Sequence, residues 1–244
     1  YIMLGETSPV GTFAHEMGHT LGLPDLYDTD GTSLGVGNWD LMGTGSWLGS
    51  PAGSVPGHLG AWSKYFLGWI NPIKINRTTL NVQINQIESY DNTYLIVDNP
   101  NDSPGNLDWT TSGGTGEYFL IENRQRVGFD SYLPGTGLLI WHVDETRGSN
   151  TNENRKLVDL EEAHGGVQNM DYPSANANSN RGDSGDPYSE KNFTCTSDPN
   201  SNFYNSTCSM NITGVSASNS TMDFNVYVAG TTALIIPAGV TLNL

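Results

Sequence analysis

The stretch from Thr12 to Asp28, TFAHEMGHTLGLPDLYD, holds residue types that bind metals and move protons. On a helix, His15 and His19 lie one turn apart and therefore project from the same face. Two imidazole nitrogens in this arrangement can bind one zinc ion, for which bonds of about 2.0–2.1 Å are usual. Glu16 follows the first histidine, where its carboxylate can accept a proton from a water molecule at the metal.

A third zinc ligand must come from outside this helix. The pattern predicts a helix over Ala14–Leu21 that ends at Gly22 and Pro24. Asp25 follows the turn directly, so the chain can swing its carboxylate back towards the two histidines. A thermolysin-like site would instead take a glutamate from a later helix, and the sequence predicts no later helix with a suitable glutamate.

The motif and several later segments resemble known peptidases. HEMGHTLGLPD, residues 15–25, fits the pattern H-E-x-x-H-x-x-G-x-x-[H/D] of metzincin-like zinc peptidases, in its aspartate-terminated form. Other segments are similar to the immune inhibitor A family of secreted bacterial metallopeptidases. They are LPDLYD, GNWDLMGTGSW, GAWSKYFLGW, GEYFLIENRQRVGFDSYLPGTGLLIWHVDE and LVDLEEAHGG. The resemblance covers residues 12 to about 228, with gaps.

The resemblance implies a complete set of zinc-site residues. It implies that His15, His19 and Asp25 bind zinc and that Glu16 is the general base and acid. It also implies that Met42, in WDLMG, forms the methionine turn, an apolar floor below the ligands. The candidates for the residue that stabilises the oxyanion are Tyr27, His58 and Tyr65.

For the fold, the resemblance implies an α+β domain. Its first part is a metzincin-like lower half with an active-site helix, a Met-turn and a second helix, and a β-rich portion follows. Similar peptidases place an upper subdomain before the zinc helix, and here only fourteen residues precede His15. We therefore expect the upper N-terminal subdomain to be absent from this chain, and another chain or a removed N-terminal segment to complete the cleft.

Composition shifts divide the chain into three predicted segments. Residues 1–75 form the zinc-binding catalytic segment, residues 76–230 the β-rich portion with a long acidic and Asn-rich loop, and residues 231–244 an apolar tail. The tail is either one more strand or the beginning of a further element. A second helix, at about His58–Leu67, carries a stripe predicted to be buried: Leu59, Trp62, Phe66 and Trp69. The predicted strands are TLNVQI, TYLIVD, EYFLIENRQ, GLLIWHVDE, RKLVDLEEA and TMDFNVYV.

Calcium is the second predicted cofactor. The segment from Asp28 to Thr32 resembles the start of an EF-hand loop, but its twelfth position is Trp39 instead of glutamate, so an Asx turn is the alternative. Similar acidic loops in the family hold calcium, and a long loop gains order from a bound cation. The predicted calcium ligands are Asp28, Asp30, Asp159, Asp183 and Asp186.

Four other residues with side chains suited to chemistry have simpler interpretations. His142 lies in an alternating apolar run, which is typical of a histidine satisfied within the core. His164, before two glycines, is interpreted as a loop residue. Arg124 and Arg126 lie on a predicted strand and either pair with acids or line the substrate cleft.

Charge and cysteines indicate the compartment and exclude some partners. The formal net charge of −16 excludes nucleic acid and anionic membranes as expected partners, because both need clustered Lys and Arg. No apolar run is long enough to span a bilayer. Cys195 and Cys208 are predicted to form a disulfide, which together with the sequons favours an extracellular glycoprotein. The candidate glycosylation sites are Asn76, Asn101, Asn192, Asn205, Asn211 and Asn219.

These observations predict a secreted zinc-dependent endopeptidase that acts on protein or peptide substrates. The alternative is an extracellular structural or assembly glycoprotein built on an incomplete or idle peptidase core. A calcium-dependent binding module is a third class, which rests on the acidic loops alone.

Overall fold

The structure is a computed structural model that describes residues 4–96, 107–164, 170–171, 180–204, 208, 210–228, 231 and 234–235. The predicted glycosylation sites Asn101 and Asn205 lie outside the described residues. So do most of the predicted 231–244 tail and parts of the long acidic loop.

Two α-helices and nine β-strands make up the described regular structure. The helices are α1 (Val10–Thr20) and α2 (Ala61–Phe66), and 3₁₀ turns lie at Gly37–Trp39, Thr44–Trp47 and Gly128–Tyr132. The strands are β1 (Ile73–Ile75), β2 (Thr79–Asn85), β3 (Thr93–Ile96), β4 (Glu117–Arg124), β5 (Gly137–Asp144), β6 (Val158–Leu160), β7 (Met210–Thr213), β8 (Thr221–Val228) and β9 (Leu234–Ile235). In the described part of the chain, neither helix has the length and apolar character that crossing a membrane requires.

The strands form two sheets. The five-stranded sheet has the order β1-β3-β4-β5-β6, and its only parallel pair among the described strands is β1 with β3. The four-stranded sheet has the order β7-β8-β2-β9, with β9 parallel to β2. The chain therefore has the mixed α+β content that the sequence predicts.

The central strands bury both of their faces. On β4, Tyr118 and Leu120 contribute to one apolar core, whereas Phe119 and Ile121 contribute to the other. This division follows from the alternation of side chains along a strand. The first core also contains the buried residues of the N-terminal segment, and the second contains those of the four-stranded sheet. The five-stranded sheet is thus the middle of three layers, with α1 and α2 in the layer that covers one face.

Each predicted strand overlaps an observed one, although β6 is shorter than its predicted run. The sequence analysis does not predict β1 and β7, which are three and four residues long. β9 is a strand, which is one of the two alternatives for the tail.

The second helix is shorter than predicted, and one residue of its predicted stripe is wrong. Trp62 is fully buried, but Trp69 is 60% exposed. The helix ends at Phe66, and Gly68 adopts φ +69°, so the helical period does not extend to Trp69. Helix α1 is longer than predicted, because it already begins at Val10.

Candidate metal centre

Helix α1 ends in a tight reversal that places the third predicted ligand. The Leu23 N–H donates to the Gly18 carbonyl at 3.0 Å, and the Gly22 N–H donates at 3.0 Å to that of His19. These are the two hydrogen bonds of a Schellman motif. Gly22 adopts φ +100°, a left-handed conformation that glycine reaches without steric cost. The chain therefore reverses within two residues of the helix and returns towards the histidines.

The reversal brings the three predicted zinc ligands together. Asp25 Oδ1 lies 3.1 Å from His15 Nε2 and 3.2 Å from His19 Nε2. The three ligand atoms all lie within 4.8 Å of one another. All three side chains are partly exposed, so an ion or a substrate can reach them from solvent.

Backbone carbonyls orient both imidazole rings. His15 Nδ1 donates to the Leu41 carbonyl at 2.9 Å, and His19 Nδ1 donates to the Leu23 carbonyl at 2.9 Å. A carbonyl oxygen only accepts hydrogen bonds, so each Nδ1 carries the proton and each neutral ring has its lone pair on Nε2. Such partners of the second nitrogen are typical of metal-ligating histidines.

The donor set fits zinc. Two Nε2 lone pairs and one carboxylate oxygen face one another at 3.1 and 3.2 Å, and they repel unless a cation or a proton lies between them. Two histidines and one carboxylate are an established ligand set for catalytic zinc, which leaves its fourth position open. The residues present therefore suit the metal that the motif implies.

Glu16 lies beside this ligand set in a cavity of about 300 Å³. His15, Glu16 and Tyr27 line the cavity together with the segment that follows Met42. This segment contributes Gly43, Thr44, Ser46 and Trp47. A predicted metal ligand, a carboxylate and a phenol therefore line the same cavity, which opens to solvent.

Of the three candidates for oxyanion stabilisation, the structure brings only Tyr27 into this cavity. The Tyr27 ring stacks on His15 at a centroid distance of 6.2 Å. Burial, and then the neighbouring Asp25 carboxylate, raise the pKa of Tyr27, so its hydroxyl keeps its proton at neutral pH. Tyr65 is buried in the first core, and His58 lines a different cavity.

Met42 lies directly beneath helix α1. It is fully buried, and its carbonyl accepts the Leu26 N–H at 2.9 Å. A Cβ atom at Gly18 would overlap the Met42 sulfur, so the glycine lets the methionine pack against the helix between the two histidines. This packing is compatible with an apolar floor below the ligands, and the role of Met42 stays a prediction.

Asp40, which the sequence analysis does not single out, holds this turn in place. Its Oδ1 accepts the Met42 N–H at 2.7 Å. Its Oδ2 accepts the Gly60 N–H at 2.7 Å and the Ser63 hydroxyl at 2.9 Å. Burial raises the pKa of Asp40, whereas these hydrogen bonds favour the ionised form. One buried carboxylate thus ties the methionine turn to the start of α2.

Arg124 fixes the same turn from below and does not line the cleft. Its Nε and Nη2 atoms donate to the two oxygens of Asp130, each at 2.8 Å, and its Nη1 atom donates to the Trp39 carbonyl at 3.3 Å. Arg124 and Asp130 are both fully buried. Although burial opposes ionisation, the Arg124 guanidinium holds the pKa of Asp130 well below its usual range. Pairing with acids, one of the two predicted alternatives, is thus observed for Arg124.

Glu88 lies beside this ion pair. Its Oε1 atom accepts the Gln125 N–H at 2.7 Å and lies 3.7 Å from Arg124 Nε. Its side chain is only 2% exposed, and burial raises the pKa of Glu88 to about 7. The carboxyl therefore titrates close to neutral pH, so the free energy of unfolding depends on pH in this range.

His142 is a core histidine, as the sequence predicts. It is 2% exposed, and its ring nitrogens lie 3.1 Å from Glu161 Oε1 and 3.0 Å from Glu117 Oε1. Burial lowers the pKa of His142, but the hydrogen bonds to the two glutamates prevail and raise it to about 9.

The predicted calcium ligands do not meet at one point. Asp28 accepts the Asp30 N–H at 3.0 Å and the Ser33 N–H at 2.6 Å, which is the pattern of the alternative Asx turn. Asp159 accepts from Lys156 Nζ at 2.8 Å. Asp183 and Asp186 lie together with His164. Among the described residues, no group of three converging ligands includes Asp28, Asp30 or Asp159. Calcium binding remains a prediction.

The predicted disulfide between Cys195 and Cys208 is present, with a Cα–Cα distance of 5.2 Å. Of the described sequon asparagines, Asn76, Asn192 and Asn219 are exposed and Asn211 is half-buried. Asn211 accepts the Cys195 N–H at 3.1 Å, so this sequon packs against the disulfide loop.

A larger cavity of about 700 Å³ lies on the opposite flank of α1. Its lining from the helix includes Val10, Met17 and Leu21, and none of the zinc-site residues contributes to it. It is the larger of the two, and its mainly apolar lining also includes His58, Lys64 and Asp91. The smaller cavity is the candidate site, because the predicted zinc ligand His15 and the predicted base Glu16 both line it.

Comparison with known proteins points to the same segment. Residues 1–70 match the family described as immune inhibitor A peptidase M6, catalytic domain. This segment of the chain is therefore similar to the catalytic domain of the immune inhibitor A peptidases. The resemblance inferred from the sequence is confirmed, and the matched segment contains α1, the methionine turn and α2.

Two proteins similar to part of this chain are a metalloprotease and an immune inhibitor A by name. Pre-pro-metalloprotease PrtV of two Vibrio cholerae serotype O1 strains is 35% identical over 105 residues, which are 40% of this chain and 11% of that protein. Immune inhibitor A of Bacillus thuringiensis subsp. alesti is 38% identical over 89 residues, which are 33% of this chain and 13% of that protein. The match thus spans about a tenth of each relative's length and supports a metallopeptidase.

Proposed function

We propose that this chain carries the catalytic segment of a secreted zinc-dependent endopeptidase. The observation that carries the proposal is the convergence of His15 Nε2, His19 Nε2 and Asp25 Oδ1, with Glu16 in the adjoining cavity. A bound zinc ion supplies Lewis acidity, which polarises a peptide carbonyl and lowers the pKa of water.

In this proposal, Glu16 moves the proton of the hydrolytic reaction. Its carboxylate accepts a proton from the attacking water and later donates it to the nitrogen of the departing amine. Water adds to the carbonyl carbon and the peptide C–N bond breaks, so the products are one carboxylate and one amine. His15, His19 and Asp25 keep their positions throughout, because carbonyl hydrogen bonds and the helix-ending turn hold them.

Tyr27 is our candidate for stabilising the oxygen of the scissile carbonyl. Its hydroxyl group is a hydrogen-bond donor at the cavity that Glu16 also lines. A donor aimed at the developing negative charge lowers the barrier, whereas the same donor in the ground state contributes little.

The proposal also covers the compartment of the protein and a second kind of metal ion. The disulfide and the exposed sequon asparagines support secretion. The proposal also includes calcium, as an ion that stabilises the acidic loops. Thermal unfolding with and without added Ca²⁺ tests that point, since a bound ion raises the melting temperature.

The test of the proposed function is cleavage of an unstructured protein by the 244-residue chain, with and without a zinc chelator. We expect chelator-sensitive cleavage that falls by about 10²–10⁴-fold in Glu16→Ala. Glu6→Ala serves as the matched control, because Glu6 is exposed and precedes the helix. A chain that holds zinc at the site but cleaves nothing would instead support the structural or assembly protein on an idle peptidase core.

A further inference from the structure

A loop from the second half of the chain folds onto the segment that leads into the methionine turn. The Asn38 N–H donates to the Arg181 carbonyl at 2.7 Å. The Trp39 indole Nε1–H donates to Asp186 Oδ2 at 2.9 Å. The Ala163 N–H donates to the Asp186 carbonyl at 2.8 Å. Asp186 is therefore held by both its backbone and its side chain.

Three side chains converge at this loop. His164 Nε2 lies 2.8 Å from Asp183 Oδ1 and 3.4 Å from Asp186 Oδ1. The three ligand atoms lie within 4.8 Å of one another, as the three of the candidate zinc centre also do. His164 and Asp183 are partly exposed, so the group can be reached from solvent.

One buried carboxylate oxygen in this group accepts no hydrogen bond from the described residues. The Asp186 side chain is fully buried, and its Oδ2 accepts from Trp39 Nε1 and from the Asp183 N–H at 2.8 Å. Its Oδ1 is buried, accepts no hydrogen bond from any described residue, and faces His164 Nε2. A buried carboxylate oxygen without a partner is costly, and a cation at this point would remove the cost.

Two glycines let the loop close around this point. A Cβ atom at Gly185 would overlap the His164 ring. Gly182 adopts φ +110°, and a Cβ there would lie 2.6 Å from Trp39 Nε1. A larger residue at position 185 would displace His164 from the two aspartates, and one at position 182 would displace the Trp39 indole from Asp186.

We propose that His164, Asp183 and Asp186 bind a second divalent transition-metal ion, with Zn²⁺ as the probe. One imidazole nitrogen and two carboxylate oxygens suit zinc, whereas calcium takes oxygen ligands alone. The ion ties this loop to Trp39, three residues before Met42, and so stabilises the floor of the first site. It is a structural ion that takes no part in hydrolysis.

The test uses the whole chain in a His15→Ala/His19→Ala background, which removes the first site. We expect one zinc ion per chain after gel filtration and a melting temperature that rises with added Zn²⁺. Asp186→Asn and, separately, His164→Gln abolish both effects. His164→Gln is the second variant because the His164 side chain is 26% exposed, so this change is expected to leave the chain folded. Glu190→Gln, an exposed acid nearby, is the control that retains both.

Three results would overturn the inference. The background chain could bind no zinc, it could keep its zinc in both Asp186→Asn and His164→Gln, or it could respond to Ca²⁺ and not to Zn²⁺. None of these results bears on cleavage by the unmodified chain, so the inference and the proposed peptidase function fail independently.

Discussion

At the scale of single residues, two backbone carbonyls decide how the candidate zinc centre is set up. The Leu41 and Leu23 carbonyls each accept a hydrogen bond from Nδ1 of a histidine, which leaves Nε2 as the ligand atom. Leu23 is fixed by the helix-ending turn, and Leu41 by its place before Met42. The orientation of both histidines therefore depends on the backbone at the end of α1 and at the methionine turn.

Glu88 makes stability depend on pH at the same scale. Because the pKa of Glu88 is raised from its usual 4.5 to about 7, the folded chain binds more protons than the unfolded chain between these two values. Stability is therefore expected to fall as pH rises from about 5 to 7, by at most about 3 kcal/mol. Glu88→Gln should flatten this decline and be more stable than the unmodified chain at pH 8.

Urea unfolding at pH 5, 6, 7 and 8 measures this effect. Glu6→Gln is the matched control, since Glu6 is exposed and should keep the decline of the unmodified chain. An equal slope in Glu88→Gln and the unmodified chain would contradict the assignment.

At the scale of elements, helix α1 separates the two cavities. Its glycine edge packs on the methionine turn, one flank presents His15 and Glu16 to the smaller cavity, and the other flank is apolar. Glycine in the middle of a helix costs about 0.5–1 kcal/mol relative to alanine, so Gly18 is explained by the close approach of Met42.

Gly18→Ala tests this contact. In an open helix the change would stabilise, but here the overlap with the Met42 sulfur is expected to cost about 1–3 kcal/mol. Met42→Ala alone should also destabilise, by about 2–5 kcal/mol, because it leaves a cavity. A double-mutant cycle by urea unfolding should show that the two losses are smaller together than their sum. Additive losses would mean that Gly18 and Met42 do not constrain each other.

At the scale of the whole molecule, the sequence predicts contacts between residues that are close in the chain but not contacts between residues that are far apart in it. His15, His19 and Asp25 lie in one stretch, and the turn that gathers them is encoded by Gly22 and Pro24 beside them.

The supports of the methionine turn could not be predicted in this way. Arg124 reaches Trp39 across 85 positions of sequence, and Asp186 reaches it across 147. Periodicity reports which face of an element is buried, but not which distant residue meets it. For the same reason the sequence identifies His164 only as a loop residue, since Asp183 and Asp186 reach it only in the folded chain.

The proposed function depends on zinc binding by His15, His19 and Asp25 beside Glu16. Calorimetric titration of zinc into the metal-free chain measures this binding, in an Asp186→Asn background that removes the second proposed site. We predict that His19→Ala weakens zinc binding by at least about 100-fold, whereas Glu16→Gln binds zinc as tightly as the parent but cleaves no substrate. Unchanged zinc affinity in His19→Ala would show that the metal lies elsewhere and would rule out the proposed site.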